Sequence, residues 1–254
     1  MLYIALTQND ILMIGNDEHS PMLLGLSEIK QIEGISSILH KSDTEHVVVL
    51  NDESLLPKYF SIINIRFVLN HVDIDTATRI VYYQQLLQYY TSNKFCGSCG
   101  VATIRQNTNK FVFCSNCQSE IYPRIAPCIM VRIHKNNDIL MARGVNFPKG
   151  RWGLIAGFVE IGETLEEAVI REVKEEVGLE ICEINYWGSQ PWSFPNTTLM
   201  VGFTANYKSG ELVLDNTEIE EAGFFNATNI PGTPSSQFSI AAKLINDFLK
   251  KESI

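Results

Sequence analysis

The chain has 254 residues, 45% of them hydrophobic and 19% charged, a composition that places it among ordinary globular proteins and excludes wholesale disorder or a collagen-like repeat. Twenty basic residues stand against 29 acidic ones, and the net charge of −9 argues against a broad electrostatic grip on nucleic acid or an anionic membrane. No apolar run is long enough to span a bilayer, and the start Met1–Asp10 has neither the basic residues nor the apolar core of a signal peptide, so a cytoplasmic protein with no membrane partner is expected.

In chain order, residues 1–92 are expected to form an N-terminal α+β domain, with strands at Leu2–Leu6, Ile11–Ile14 and Val47–Leu50. A helix starting at Asp75 or Thr76 carries Ile80, Val81, Leu87 and Tyr90 towards a core. This part has 11 acidic and 5 basic residues and announces no chemistry of its own.

Residues 93–124 hold four of the six cysteines, as Cys96-Gly-Ser-Cys99 and Cys114-Ser-Asn-Cys117 with 14 residues between the pairs. In a chain without secretory features, two C-x2-C units read as one structural zinc site, because four thiolates complete the tetrahedral shell that zinc prefers. Redox motifs or disulfides are the alternatives, and two redox motifs are not expected side by side. Lys94, Arg105, Lys110 and Arg124 against the single Glu120 are a weak signal for RNA contact. Cys128 and Cys182 read as small buried residues.

Residues 125–254 alternate apolar segments with turns and two helices, which points to a mixed sheet with helices on its faces. Strands are expected at Pro127–Ile133, Ile139–Ala142, Leu154–Ala156, Ile184–Trp187, Leu199–Ala205 and Ala222–Phe225, and a last helix over Phe238–Lys250.

The segment Gly157–Leu179 is a glycine-bounded loop followed by a helix with legible ends. Thr164 and Glu167 form a capping box at its start, and Gly178 supplies the left-handed residue at its stop. At about 100° per residue, Leu165, Val169, Ile170, Val173 and Val177 share one arc that packs on the sheet, with Glu172, Glu175 and Glu176 at its margin. These carboxylates repel one another at i,i+3 and i,i+4 spacing. Arg171 can pair with Glu167 and Glu175, but one guanidinium cannot neutralise the set. The plain alternative is a solvated acidic face. Divalent cations, magnesium or manganese, would resolve the repulsion, and such ions grip phosphate oxygens and acidify water.

Gly157, Glu163, Arg171-Glu172-Val173, Glu175-Glu176 and Gly178-Leu179 resemble every fixed position of the Nudix box, G-x5-E-x7-R-E-U-x-E-E-x-G-U, where U is a bulky apolar residue. The segment Ser189–Met200 is similar to the SQPWPFPxS array of the NADH pyrophosphatases of the NudC type. Ser193 stands in place of the array's second proline, and Asn196-Thr-Thr198 is one residue longer. With the cysteine pairs upstream, the resemblance covers nearly the whole chain. It implies an α+β protein: a Nudix α/β/α sandwich with a mixed sheet, preceded by a zinc ribbon and an N-terminal α+β domain.

The resemblance further implies metal-dependent hydrolysis of the diphosphate of NADH or NAD to AMP and nicotinamide mononucleotide, with 5′-NAD-capped RNA as a further substrate and a homodimer as the assembly. It implies Glu172, Glu176, Glu218 and the Ala156 carbonyl as ligands of magnesium or manganese, with Glu175 as ligand or general base and Glu221 a near competitor of Glu218. Arg171 would orient Glu163 and Glu175. Phe158 and Tyr122 would offer aromatic faces, and Gln190, Pro191, Trp192, Ser193, Phe194, Pro195, Asn196, Thr197 and Thr198 would line the nucleotide pocket. Arg66 and the Ala241 backbone complete the implied substrate contacts. Two rival readings are a Nudix enzyme for another diphosphate, such as ADP-ribose, a nucleotide sugar or a dinucleoside polyphosphate, and a catalytically silent nucleotide sensor that binds RNA through its zinc ribbon.

Overall fold

The apolar runs near the start of the chain pair into a five-stranded sheet in the computed structural model, which describes residues 2–7, 10–14, 24–58, 60–106, 111–194, 197–232 and 238–251. Its strands are β1 (Leu2–Leu6), β2 (Asp10–Ile14), β3 (Ser36–Lys41), β4 (Glu45–Leu50) and β5 (Phe60–Asn64), in the order β3-β4-β1-β2-β5. β1 and β4 run parallel, and the other pairs are antiparallel. Helices α1 (Leu26–Ile32), α2 (Ile65–Val68) and α3 (Ile74–Ser92) accompany the sheet, and Ile29 and Ile32 of α1 close a core with Ala5, Val48 and Phe60.

α3 starts slightly before the expected residue because Asp73 caps it, its carboxylate accepting from the Thr76 amide and hydroxyl. Ile80, Val81, Leu87 and Tyr90 are all buried, as the helical spacing predicts. Beyond α3, strands β6 (Ile104–Arg105), β7 (Val112–Phe113) and β8 (Glu120–Ile121) form a small antiparallel sheet that carries the cysteine pairs. Tyr89 ties this sheet to α3, its hydroxyl donating to the Ile121 carbonyl and accepting from the Val112 amide. These elements belong to one unit, Met1–Arg124.

The second unit, Ile125–Ile254, is built on β9 (Ala126–Lys135), β10 (Asp138–Gly144), β11 (Ile155–Phe158), β12 (Glu180–Trp192), β13 (Thr198–Ser209) and β14 (Ile219–Asn226), with helices α4 (Leu165–Val177) and α5 (Ile240–Lys251). The strand order is β12-β13-β9-β10-β14, with β11 on β9. β13 runs parallel to β9 while the remaining pairs are antiparallel, so the sheet is mixed.

Side chains alternate along β9 and fill two cores. Ile129, Val131 and Ile133 join Val169, Val173 and Val177 of α4, whereas Cys128 joins Ile240, Leu244, Ile245 and Phe248 of α5. Helices therefore pack on both faces of the sheet, the sandwich that the sequence implies. α5 is pinned by the buried Arg132, which donates to the Leu244 carbonyl and to Asp247. Cys128 is buried as expected, and Cys182 is half-buried on β12. Among the described residues no helix is long and apolar enough to cross a membrane.

Candidate active site on the acidic helix

Helix α4 has the ends its sequence specifies. The Thr164 hydroxyl accepts from the Glu167 amide while the Glu167 carboxylate accepts from the Thr164 amide, and Gly178 closes the helix at φ 74°. A left-handed residue there favours glycine because a Cβ would crowd the following carbonyl. The buried face differs from the apolar arc. Glu172 and Glu176 are only 9% and 6% exposed and lie among Ala168, Val169, Val173 and Val177, whereas Ile170 is 50% exposed. The expected placement of Ile170 on the packed arc and of the glutamates at its margin is thus corrected: the packed face is turned towards the two carboxylates, and Ile170 is carried round to its edge.

Room for Glu172 comes from Gly157 on β11. A Cβ at Gly157 would lie 1.9 Å from the Glu172 carboxyl carbon, so the carboxylate rests on the bare backbone beside Ala156 and Phe158. Any larger residue at this position would drive Glu172 off the strand.

Arg171 organises the loop above. Its Nε and one terminal nitrogen grip both oxygens of Glu163 at 2.8 and 2.9 Å, and the other nitrogen donates to Glu172 at 2.8 Å and Glu175 at 3.0 Å. It also donates to the Phe158 carbonyl at 2.9 Å. The sequence expectation of an Arg171–Glu167 pair is not realised, because Glu167 is engaged by Thr164 in the capping box. The Arg171 guanidinium holds the Glu163 carboxyl below its ordinary range, aided by the Glu160 amide.

Opposite α4, the turn before β14 brings Glu218 into the field of Glu172 and Glu176. The Asp215 amide donates to the Glu176 carbonyl and the Val213 amide to that of Val177, which fastens this turn to the end of α4. Glu221, the competitor of Glu218, is engaged elsewhere, since Arg143 forks between Glu220 at 2.6 Å and Glu221 at 2.7 Å. Burial, with repulsion from Glu172, Glu218, Asp215 and Glu175, pushes the Glu176 carboxyl up to about 8. Burial also raises Glu172, against the pull of Arg171.

The tryptophan-containing array occupies the end of the β12–β13 hairpin, where Trp192 pairs with Thr198. Gln190, Ser193 and Thr198 are buried, Trp192 and Phe194 are half-buried, Thr197 accepts from the Ala126 amide, and Pro191 is exposed. The Gln190 amide donates to the Phe238 carbonyl, and Trp192 stacks on the Phe238 ring at 6.1 Å, so the array seats the chain that leads into α5 and its buried Ala241. Pro195 and Asn196 lie outside the described residues. Phe158 is exposed at the end of β11. Arg66, on α2, and Tyr122, whose hydroxyl donates to Glu120, are exposed residues of the first unit.

A family model described as the NUDIX domain matches residues 122–248, half of the chain. The chain belongs to the Nudix family. It is 45% identical over 163 residues, 64% of its length, to a protein of Salmonella heidelberg named NAD-capped RNA hydrolase NudC, and that match spans 63% of the relative. A protein of the same name from Pseudomonas aeruginosa is 39% identical over 189 residues, covering 74% of this chain and 67% of the relative. A Nudix hydrolase crystal structure from Nitrosomonas europaea is 26% identical and covers 62% of this chain and 88% of its own, with a TM-score of 0.46.

Two donor sets in this Nudix protein suit metal ions. Glu176 is buried and makes no ion pair among the described residues, and its neighbours are other carboxylates. A buried, unpaired carboxylate is costly unless a cation joins it, and hard oxygen donors suit magnesium or manganese. The second set is softer. The sulfurs of Cys96, Cys99, Cys114 and Cys117 all lie within 4.8 Å of one another, with Cys96–Cys117 at 3.6 Å and Cys99–Cys114 at 3.5 Å. These separations are too long for disulfides and match the edges of a zinc tetrahedron with Zn–S bonds of about 2.3 Å. Amide donors from Ser98 and Cys99 pull the Cys96 thiol down to about 6, favouring the thiolate that zinc binds.

Sequence reading missed Asp215 and Arg143. Asp215 looks like an ordinary turn residue in Asp-Asn-Thr, its carboxylate accepting from Thr217. The only available signal for Arg143 was a cation at the end of a strand in an acidic protein.

Proposed function

We propose that this Nudix protein hydrolyses the central diphosphate of NADH or NAD to AMP and nicotinamide mononucleotide, and removes NAD caps from the 5′ ends of RNA. The observation that carries the reading is the buried Glu172–Glu176 pair, held without a neutralising partner for Glu176 and faced by Glu218. The names of the relatives, whose length the chain matches in part, support the choice of substrate.

Glu172, Glu176, Glu218 and the Ala156 carbonyl would hold the divalent ions, and Glu175 would join them as a further ligand. Such ions, when bound, neutralise diphosphate oxygens and make water a better nucleophile. Arg171 keeps Glu172 and Glu175 aimed by direct hydrogen bonds and couples them to Glu163 in the loop. Glu175 is the most exposed of the three helix carboxylates, and in the alternative role of general base it would accept the proton of the attacking water. Phe158 offers an exposed ring beside this cluster for the nicotinamide or adenine. Gln190, Trp192 and Ser193 act by seating the wall of the nucleotide pocket more than by touching substrate, because they are buried or stacked within the protein. The protein would work as a zinc-containing homodimer in the cytoplasm.

Chromatography of products formed from NADH with magnesium or manganese is the deciding experiment. AMP and reduced nicotinamide mononucleotide are expected, with loss of turnover in EDTA. A clear preference for ADP-ribose or a nucleotide sugar over NADH would replace the substrate, and undiminished turnover in EDTA would overturn the mechanism. Sedimentation at micromolar concentration tests the dimer.

A further inference from the structure

A cavity of about 570 Å³ opens in the first unit, where the ends of two strands meet α3 and the cysteine module. Thr7 follows β1 and Asn51 follows β4, and these two strands are the parallel pair of the sheet, so both chains leave at the same rim. The volume falls within the range of small-molecule sites, about 300–1,000 Å³.

The lining has a definite chemistry. Lys94 and Arg105 reach it from the cysteine module, are exposed, and form no salt bridge among the described residues, in a chain whose net charge is −9. Arg105 lies over the Tyr90 ring at 4.2 Å, which fixes the guanidinium plane while leaving its N–H groups available to an oxyanion. Lys94 is anchored through its carbonyl, which accepts from the Thr103 amide at 3.0 Å. Ser37 donates to the Asn51 side-chain oxygen at 2.8 Å, which turns the Asn51 amide nitrogen into a further donor. Val49, Leu50 and Leu87 supply an apolar wall, and Glu53 is the one carboxylate in the lining. Two cations without a salt bridge and an amide donor against a single carboxylate, next to an apolar wall, match a phosphate joined to an apolar or aromatic body.

We propose that this cavity is a second ligand site, distinct from the Nudix helix, for a nucleoside monophosphate. Lys94 and Arg105 take the phosphate, Val49 and Leu87 face the base, and Glu53 supplies the acceptor that ribose hydroxyls need. Because Lys94 lies two residues before Cys96 and Arg105 lies on β6, the zinc module holds both cations in place.

The test is titration of the zinc-loaded chain with AMP, without added divalent metal, followed by backbone amide resonances. Saturable shifts are expected at Thr7, Asn51 and Thr91, which reports on the first unit whether or not hydrolysis occurs. Adenosine and inorganic phosphate are each expected to bind there about tenfold more weakly or worse, the cost of losing a charge-assisted contact or the apolar one. Lys94→Gln with Arg105→Gln should weaken AMP by at least about tenfold at these resonances with zinc content unchanged, and Lys94→Arg, which keeps the charge and leaves the Arg105 stack in place, should preserve binding. If the neutral variant loses zinc, Asn51→Asp is read instead, since a new carboxylate facing the phosphate should abolish the shifts. Absent shifts with AMP, equal affinity for adenosine or for inorganic phosphate, or AMP affinity unchanged in the neutral variant or in Asn51→Asp would each overturn the proposal.

Discussion

The four cysteine sulfurs lie within 4.8 Å of one another, with backbone amides aimed at those of Cys96, Cys99 and Cys114, whereas no three carboxylates of the α4 site converge to that distance among the described residues. The cysteine cluster is closed: each ligand sits in a two-residue knuckle, and the knuckles are held by short strands. The carboxylate cluster is open, spread over a helix, a strand and a turn, and partly held off by Arg171. A structural ion needs a saturated shell, whereas a catalytic one needs places left for substrate and water, and the two clusters differ in that respect. The same contrast separates their costs. Thiolates drawn together by amide donors favour the folded state once metal is bound, while buried glutamates oppose it until a cation arrives.

Breaking the closed cluster should give the largest effect. Cys114 is fully buried, and Cys114→Ser is expected to abolish zinc binding and melt the β6–β8 module, read as loss of stoichiometric zinc and collapse of its amide dispersion. Structural zinc contributes on the order of 10 kcal/mol to such modules, more than the module's small core can replace.

Glu176→Gln sharpens the contrast from the other side. Turnover should fall by roughly a hundredfold or more, as for other groups that stabilise developing charge, while the metal-free protein becomes more stable. The sign follows from the raised carboxyl. Folded Glu176 titrates at about 8 and the unfolded residue near 4.5, so between these values the folded state holds a proton that the unfolded state has lost. Stability of the metal-free protein should therefore be fully present below about pH 4.5 as far as this group is concerned, and should decline as pH rises towards 8. Glu176→Gln should flatten that decline, and magnesium should offset it in the parent. Thermal unfolding of the zinc-loaded protein without added magnesium or manganese across this range checks both statements; a parent that gains stability towards pH 8 would contradict them.

How much of this was legible depends on the range of the interactions. Thr164, Glu167 and Gly178 fix the ends of α4 by contacts within one turn, and the cysteine spacing is equally local, so both could be read from the chain. Burial of Glu172 and Glu176 could not. A wheel drawn from apolar residues leaves both carboxylates at the margin of the packed arc, and the burial of Glu172 depends on Gly157 of β11, whose missing Cβ admits it. The exposure of Ile170 goes with the turning of the packed face towards the carboxylates. The ion pair between Arg143 and Glu221 was equally out of reach, because the two residues are far apart in sequence. In the first unit, β3 escaped notice because Ser36, Ser37 and His40 give an edge strand little apolar signal. That Gln190 and Trp192 of the array also seat the chain leading into α5 could not be read, because their partners, the Phe238 carbonyl and ring, are far away in sequence.

Arg171→Lys tests the open cluster more gently. A lysine keeps the charge but cannot grip both Glu163 oxygens while also reaching Glu172, Glu175 and the Phe158 carbonyl. The expected outcome is a fall in kcat of roughly tenfold to a hundredfold with KM changed less, because the carboxylates lose their aim and the pocket stays intact. An equal change confined to KM would place Arg171 on the substrate instead.

The smallest effect is expected at the start of α4. Thr164→Ala removes the hydroxyl that accepts from the Glu167 amide and donates to the Glu167 carboxylate, at a cost of about 1 kcal/mol. In a unit of this size that lowers the melting temperature by about 3 °C. Activity should hardly change, because Gly157 and Arg171 position Glu172 without help from the cap. Thr164→Ser, which keeps the acceptor, should melt close to the parent. If Thr164→Ala instead cut turnover as deeply as Arg171→Lys, the loop and helix start would be part of what aims the carboxylates, and the open cluster would be more rigidly built than its contacts imply.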